Sequence, residues 1–98
     1  MKKFIIIQNG YVTPTDGIME EYGKWFGSIQ DKIVDMSTLG NGREITKSGT
    51  KKLEMDLEAT TGFLIINAED FDEALKIEES SPIITNVRVY EAMSMDGR

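Results

Sequence analysis

Hydrophobic and polar positions along the chain fall into two rhythms, and together these predict six strands and two helices. Phe4-Ile5-Ile6-Ile7 is a short continuous apolar run, rich in β-branched residues and closed by Asn9-Gly10, which reads as a buried strand. Thr13-Pro14-Thr15-Asp16 reads as a helix start, with Thr13 as N-cap, Pro14 as first helical residue and Asp16 at the positive end of the dipole. Ile18, Met19, Tyr22, Trp25, Phe26 and Ile29 follow at i, i+3, i+4, i+7 spacing, so the helix is expected to run to about Asp31. Gly23 and Gly27 stand four apart on one face of it. A close approach of helix to sheet is the expected reason, since each glycine costs ~1 kcal/mol relative to alanine.

Downstream, Ile33-Val34-Asp35-Met36 is a short strand and Leu39-Gly40-Asn41-Gly42 a turn cluster. Glu44 to Lys47 and Thr50 to Leu57 flank Ser48-Gly49, the signal of a two-residue hairpin loop. In the second arm Leu53, Met55 and Leu57 alternate with Lys52, Glu54, Asp56 and Glu58, which predicts one apolar and one charged face. Gly62 to Asn67 is a second continuous apolar strand. Asp70 then caps a helix with Glu73 as its box partner, and Phe71, Ala74, Leu75 and Ile77 form its inner face. A last strand runs from about Asn86 to Ala92, and residues 93–98 read as a loose tail.

Strand, helix, strand with an added hairpin, strand, helix, strand is the order of an α+β, ferredoxin-like split βαβ domain. It has an antiparallel sheet with both helices on one face and an extra β-hairpin. The whole of residues 1–98 is read as this single domain. The two continuous strands put large apolar side chains on both faces of the sheet. Two helices cover only one face, and soluble monomers rarely leave such a patch open, so a homodimer packed sheet to sheet is expected. At ~1.5–3 kcal/mol for each large apolar side chain removed from water, the drive is substantial.

Composition narrows the chemistry. The 98 residues contain no His and no Cys, which removes thiolate nucleophiles, imidazole bases, disulfides and ordinary zinc sites; no cofactor and no metal is expected. A net charge of −6 makes nucleic acid a poor partner. The apolar run at the start is too short for an export core, and no stretch reaches the ~20 residues of a membrane span, so no membrane partner and a cytoplasmic location are expected.

The residues also resemble a family. Phe4 to Ile7, Trp25-Phe26, Val34-Asp35 and Leu39-Gly40-x-Gly42 are similar to the YCII-related (DGPF) domain family. So is Thr61-Gly62-Phe63-Leu64-Ile65-Ile66-Asn67-Ala68, followed by Phe71-Asp72-Glu73-Ala74-Leu75 and Ser81-Pro82. The resemblance spans nearly the whole chain and implies a dimeric α+β barrel of ferredoxin-like subunits with a cleft between helix and sheet. Two departures stand out. The Asp-Gly-Pro-Phe signature is absent, and the histidine that some members pair with an aspartate has no counterpart here.

With imidazole and thiol gone, carboxylates, Lys and Tyr are left as acids and bases. Asp35, set in an apolar segment near where the family places its cleft aspartate, is the candidate catalytic residue; burial would raise its pKa. The alternative is a strand-end Asp that faces water or caps a turn. Tyr22 and Trp25, three apart on the first helix, are candidates for a cleft wall, or else are simply core. Arg43, with Lys47, Lys51 and Lys52, forms a basic cluster suited to an anion or to guarding a hairpin edge. Glu54 and Asp56, candidates for the ligand cleft, form a row with Glu58 that either holds Mg²⁺ or Ca²⁺ through water ligands or is a solvated face beside Lys51 and Lys52.

The expected function is binding of a small ligand in the cleft. The alternatives are a cofactor-independent enzyme using Asp35 on a small organic ring compound, and a purely structural or interaction module. An open cleft separates the first two from the third.

Overall fold

The computed structural model describes residues 1–93, so all but the first residue of the expected tail lies outside the described residues. Six strands, two helices and one 3₁₀ turn follow in the order β1 (Lys2–Asn9), α1 (Asp16–Ile29), the 3₁₀ turn (Gln30–Lys32), β2 (Ile33–Thr38), β3 (Arg43–Thr46), β4 (Gly49–Lys52), β5 (Thr60–Ala68), α2 (Phe71–Glu79) and β6 (Asn86–Glu91). Four strands form one antiparallel sheet in the order β2-β5-β1-β6, with the two apolar strands in the centre. The architecture is α+β and ferredoxin-like, with β3 and β4 as a separate hairpin rather than a continuation of the sheet. Among the described residues, no helix is long and apolar enough to cross a membrane.

Alternation along the central strands sorts the two faces. Phe4, Ile6, Leu64, Ile66 and Ala68 are buried and point at the helices, where Trp25, Ile29, Ala74 and Ile77 complete the core. Ile5, Ile7, Phe63 and Ile65 point the other way and are only half-buried. An indole bond ties the two helices together: Trp25 Nε1 donates to Ile77 O and to Ser80 Oγ, both at 3.1 Å.

Several local expectations change. The N-cap of α1 is Thr15, whose hydroxyl accepts from Ile18 N at 3.2 Å, so Pro14 precedes the helix instead of starting it. Gly23 and Gly27 make no close approach to the sheet, since a Cβ at either would meet nothing within 4 Å. Asp70 does cap α2, accepting from Glu73 N at 2.9 Å, but the Glu73 carboxylate turns to Lys32 at 3.4 Å instead of closing the box. The hairpin loop is Lys47-Ser48, because Thr46 pairs with Gly49.

The second arm of the hairpin ends at Lys52, and Leu53, Met55 and Leu57 are not strand. Asp56 accounts for this. Its carboxylate accepts from Glu58 N at 2.9 Å, and its carbonyl accepts from Tyr11 N and Ala59 N at 2.8 and 3.2 Å. A side chain that bonds its own backbone two residues on offers a turn in place of a ladder. The turn carries residues 53–59 over the open end of the sheet.

Candidate functional site

Where β1 runs out of apolar residues, the inner face of the sheet stops being filled. Gln8 continues the inward series Phe4, Ile6, and pairs with Gly62 on one side and Val87 on the other. Gly62 makes room for it: a Cβ there would lie 2.8 Å from Gln8 Oε1. Gly10 turns the chain away next, with φ of 105°, in the region that favours glycine.

A cleft of about 500 Å³ lies between this end of the sheet and α1. Its helix wall is Ile18, Tyr22, Gly23 and Phe26; its far wall is Leu39 and Met55, with Tyr11 and Val12 at the rim. The missing Cβ of Gly23 thus opens cleft space. The walls are apolar, and the polar groups are few: the Gln8 amide, the Tyr11 and Tyr22 hydroxyls, Thr38 and Thr61. Gln8 Nε2 is buried, with no hydrogen-bond partner among the described residues. A buried donor left unmade costs ~1–3 kcal/mol, so this amide is available to a ligand or a water in the cleft.

Tyr22 stacks on Phe26 with ring centroids 5.9 Å apart. Burial, and then the charge of Glu78, push its hydroxyl above the ordinary tyrosine range, so it stays protonated and able to donate. Glu78 itself is 2% exposed, at the end of a crevice of about 250 Å³ lined by Leu75, Ile83, Val87 and Val89. Burial pushes its carboxyl up to about 7, against a smaller lowering by the Ser81 hydroxyl 3.2 Å away.

The expected site residues are dispersed. Tyr22 lines the cleft. Trp25 does not: at 5% exposure it is core, facing α2 through its indole bond. Asp35 is exposed, and its register opposite Ile65, itself opposite Ile5, puts it on the sheet face away from both helices and the cleft. A bulge at Val34 re-aims it, and its Oδ1 accepts from Met36 N at 2.8 Å. Glu54 and Asp56 line a neighbouring, mixed-charge hollow with Lys51 and Lys52, which shares Leu39 and Met55 with the cleft. Arg43 lines neither, and its guanidinium donates to Asn41 O and Gly42 O at 3.0 and 2.9 Å. Two residues escaped the sequence reading. Gln8 was legible as a polar residue in phase with Phe4 and Ile6, and Glu78 as the i+4 partner of Ala74.

Sheet order and helix placement give the chain the fold seen in subunits of dimeric α+β barrels. No protein-family model matches the chain, and no curated protein matches it. Among solved structures it is similar to 5-chloro-2-hydroxyhydroquinone dehydrochlorinase (TftG) from Burkholderia phenoliruptrix AC1100, in complex with 2,5-dihydroxybenzoquinone. The TM-score is 0.56 and the identity 16%, over 98% of this chain and 99% of that one. That likeness is one of fold.

Proposed function

We propose that the protein binds a small, largely apolar ring compound bearing acceptor oxygens in the cleft between α1 and the sheet, as a sheet-to-sheet homodimer of the YCII-related kind. The observation that carries this reading is the cleft itself: apolar walls, about 500 Å³, and a handful of convergent polar groups. The unpartnered Gln8 amide and the protonated Tyr22 hydroxyl supply donors for oxygen substituents. The similar dehydrochlorinase was solved with an oxygen-bearing six-membered ring, which is of a size this cleft admits.

The half-buried row of Ile5, Ile7, Phe63 and Ile65 supports the homodimer. Binding is favoured over acid–base turnover at Asp35 because that carboxylate stands on the opposite face of the sheet.

Thermal unfolding with and without 2,5-dihydroxybenzoquinone tests the reading in wild type and in Gly23→Leu. Leucine fills open cleft space and gains ~1 kcal/mol of helix propensity, so the variant folds. Ligand at ~100 times its Kd adds about 2.7 kcal/mol, a rise of roughly 13 °C for a domain of this size. The rise is expected in wild type and not in the variant. An equal rise in both, or none in wild type, refutes the cleft as the site.

A further inference from the structure

Three charged side chains stand on the open face of the four-stranded sheet: Lys3 and Arg88 are basic, and Asp35 is the acid. Their placement is asymmetric. Asp35 lies on edge strand β2, level with Ile65, Ile5 and Tyr90. Arg88 lies on the opposite edge strand, β6, one pair further along, level with Ile7, Phe63 and Ser37. Three inter-strand steps separate the two edges, about 14 Å, too far for a pair within one chain. Among the described residues neither takes part in an ion pair. The acid and the base therefore flank the apolar strip formed by Ile5, Ile7, Phe63 and Ile65, one on each side.

Two sheets packed face to face about a two-fold axis have two aligned choices. An axis perpendicular to the strands lays β2 over the partner subunit's β2. Asp35 then approaches the partner subunit's Asp35, and Arg88 approaches the partner subunit's Arg88. An axis parallel to the strands exchanges the edges and lays β2 over the partner subunit's β6. Asp35 then comes under the partner subunit's Tyr90, with the partner subunit's Arg88 one pair away, about 7 Å along the strand and ~10 Å across the gap, a backbone separation of about 12 Å that the arginine and aspartate side chains span together. Like charges brought together in a desolvating interface are costly, and opposite charges fix the register.

Resting on the homodimer reading above, we propose that the two copies pack with this second geometry. Asp35 of each subunit is held by the partner subunit's Arg88 guanidinium and Tyr90 hydroxyl, twice per dimer, with the apolar strip sealed between the two pairs. Asp35 and Arg88 are thus orientation-setting residues of the assembly.

Sedimentation equilibrium on wild type, Asp35→Arg, Arg88→Asp and the double exchange tests the pairing. The expected result is a wild-type dimer, each single reversal weakened about tenfold or more, and the double exchange restored to within a few-fold of wild type. Asp35→Asn, which keeps shape and folding, should also weaken the dimer, and high salt should narrow the gap between it and wild type. A double exchange no tighter than the singles, single reversals as tight as wild type, or an Asp35→Asn dimer tighter than wild type would each overturn the pairing while leaving the homodimer standing. A wild type that stays at 11.0 kDa at 100 µM overturns both.

Discussion

At the scale of the residue, Glu78 and Gln8 carry most of what is unusual about the helix-covered half of the molecule. Both point inward from positions in phase with core residues, and each leaves one buried polar atom without a partner among the described residues. For Glu78 the consequence is a pH dependence of stability. Its folded pKa, about 7, lies above the ordinary 4.5, so the folded state holds the proton more tightly than the unfolded chain does. Its contribution to stability is therefore fully present below about 4.5 and is lost as pH rises through about 7. Glu78→Gln removes the charge and keeps the shape. It should stabilise the protein at pH 8 by on the order of 2 kcal/mol and give little gain at pH 4.5, as read from urea unfolding at both pH values. A variant equally destabilised at both would place Glu78 in a structural hydrogen-bond role instead.

At the scale of the element, the two helices and the two central strands were legible because each carries a long, uninterrupted pattern. What escaped were the places where a side chain competes with the pattern. Leu53, Met55 and Leu57 alternate as a strand would, yet Asp56 between them bonds Glu58 N and bends the chain. Thr15 outcompetes Thr13 as the cap because its hydroxyl is the one that reaches Ile18 N. Trp25 and Tyr22, one helical turn apart, divide their roles by which side of α1 faces α2. The Trp25 indole is the bolt between the two helices, so Trp25→Phe should lose ~1–2 kcal/mol of stability. Adding Ser80→Ala to that variant should cost less than Ser80→Ala costs in wild type, since the two share one hydrogen bond. Full additivity in a denaturant-unfolding cycle would show that the bolt is not energetically real.

At the scale of the whole molecule, one sheet separates two surfaces of different character. The helix face ends in a cleft, and the other face offers an apolar strip flanked by charge. The two-faced sheet could be read from Phe4 to Ile7 and Phe63 to Ile66 alone. The cleft could not, because its walls come from β1, α1, Leu39 and Met55, which only the fold brings together. Asp35 shows the same limit: a one-residue bulge at Val34 decides which face it serves, and a sequence pattern does not reveal a bulge.

Methyl-resolved NMR titration with 2,5-dihydroxybenzoquinone tests most directly whether a small oxygen-bearing ring binds in that cleft. Saturable shifts confined to Ile18, Met19, Leu39 and Met55, with Ile5, Ile7 and Ile65 on the opposite face unmoved, are the result predicted. Shifts centred on Ile5, Ile7 and Ile65, or no saturable shift anywhere, would contradict it.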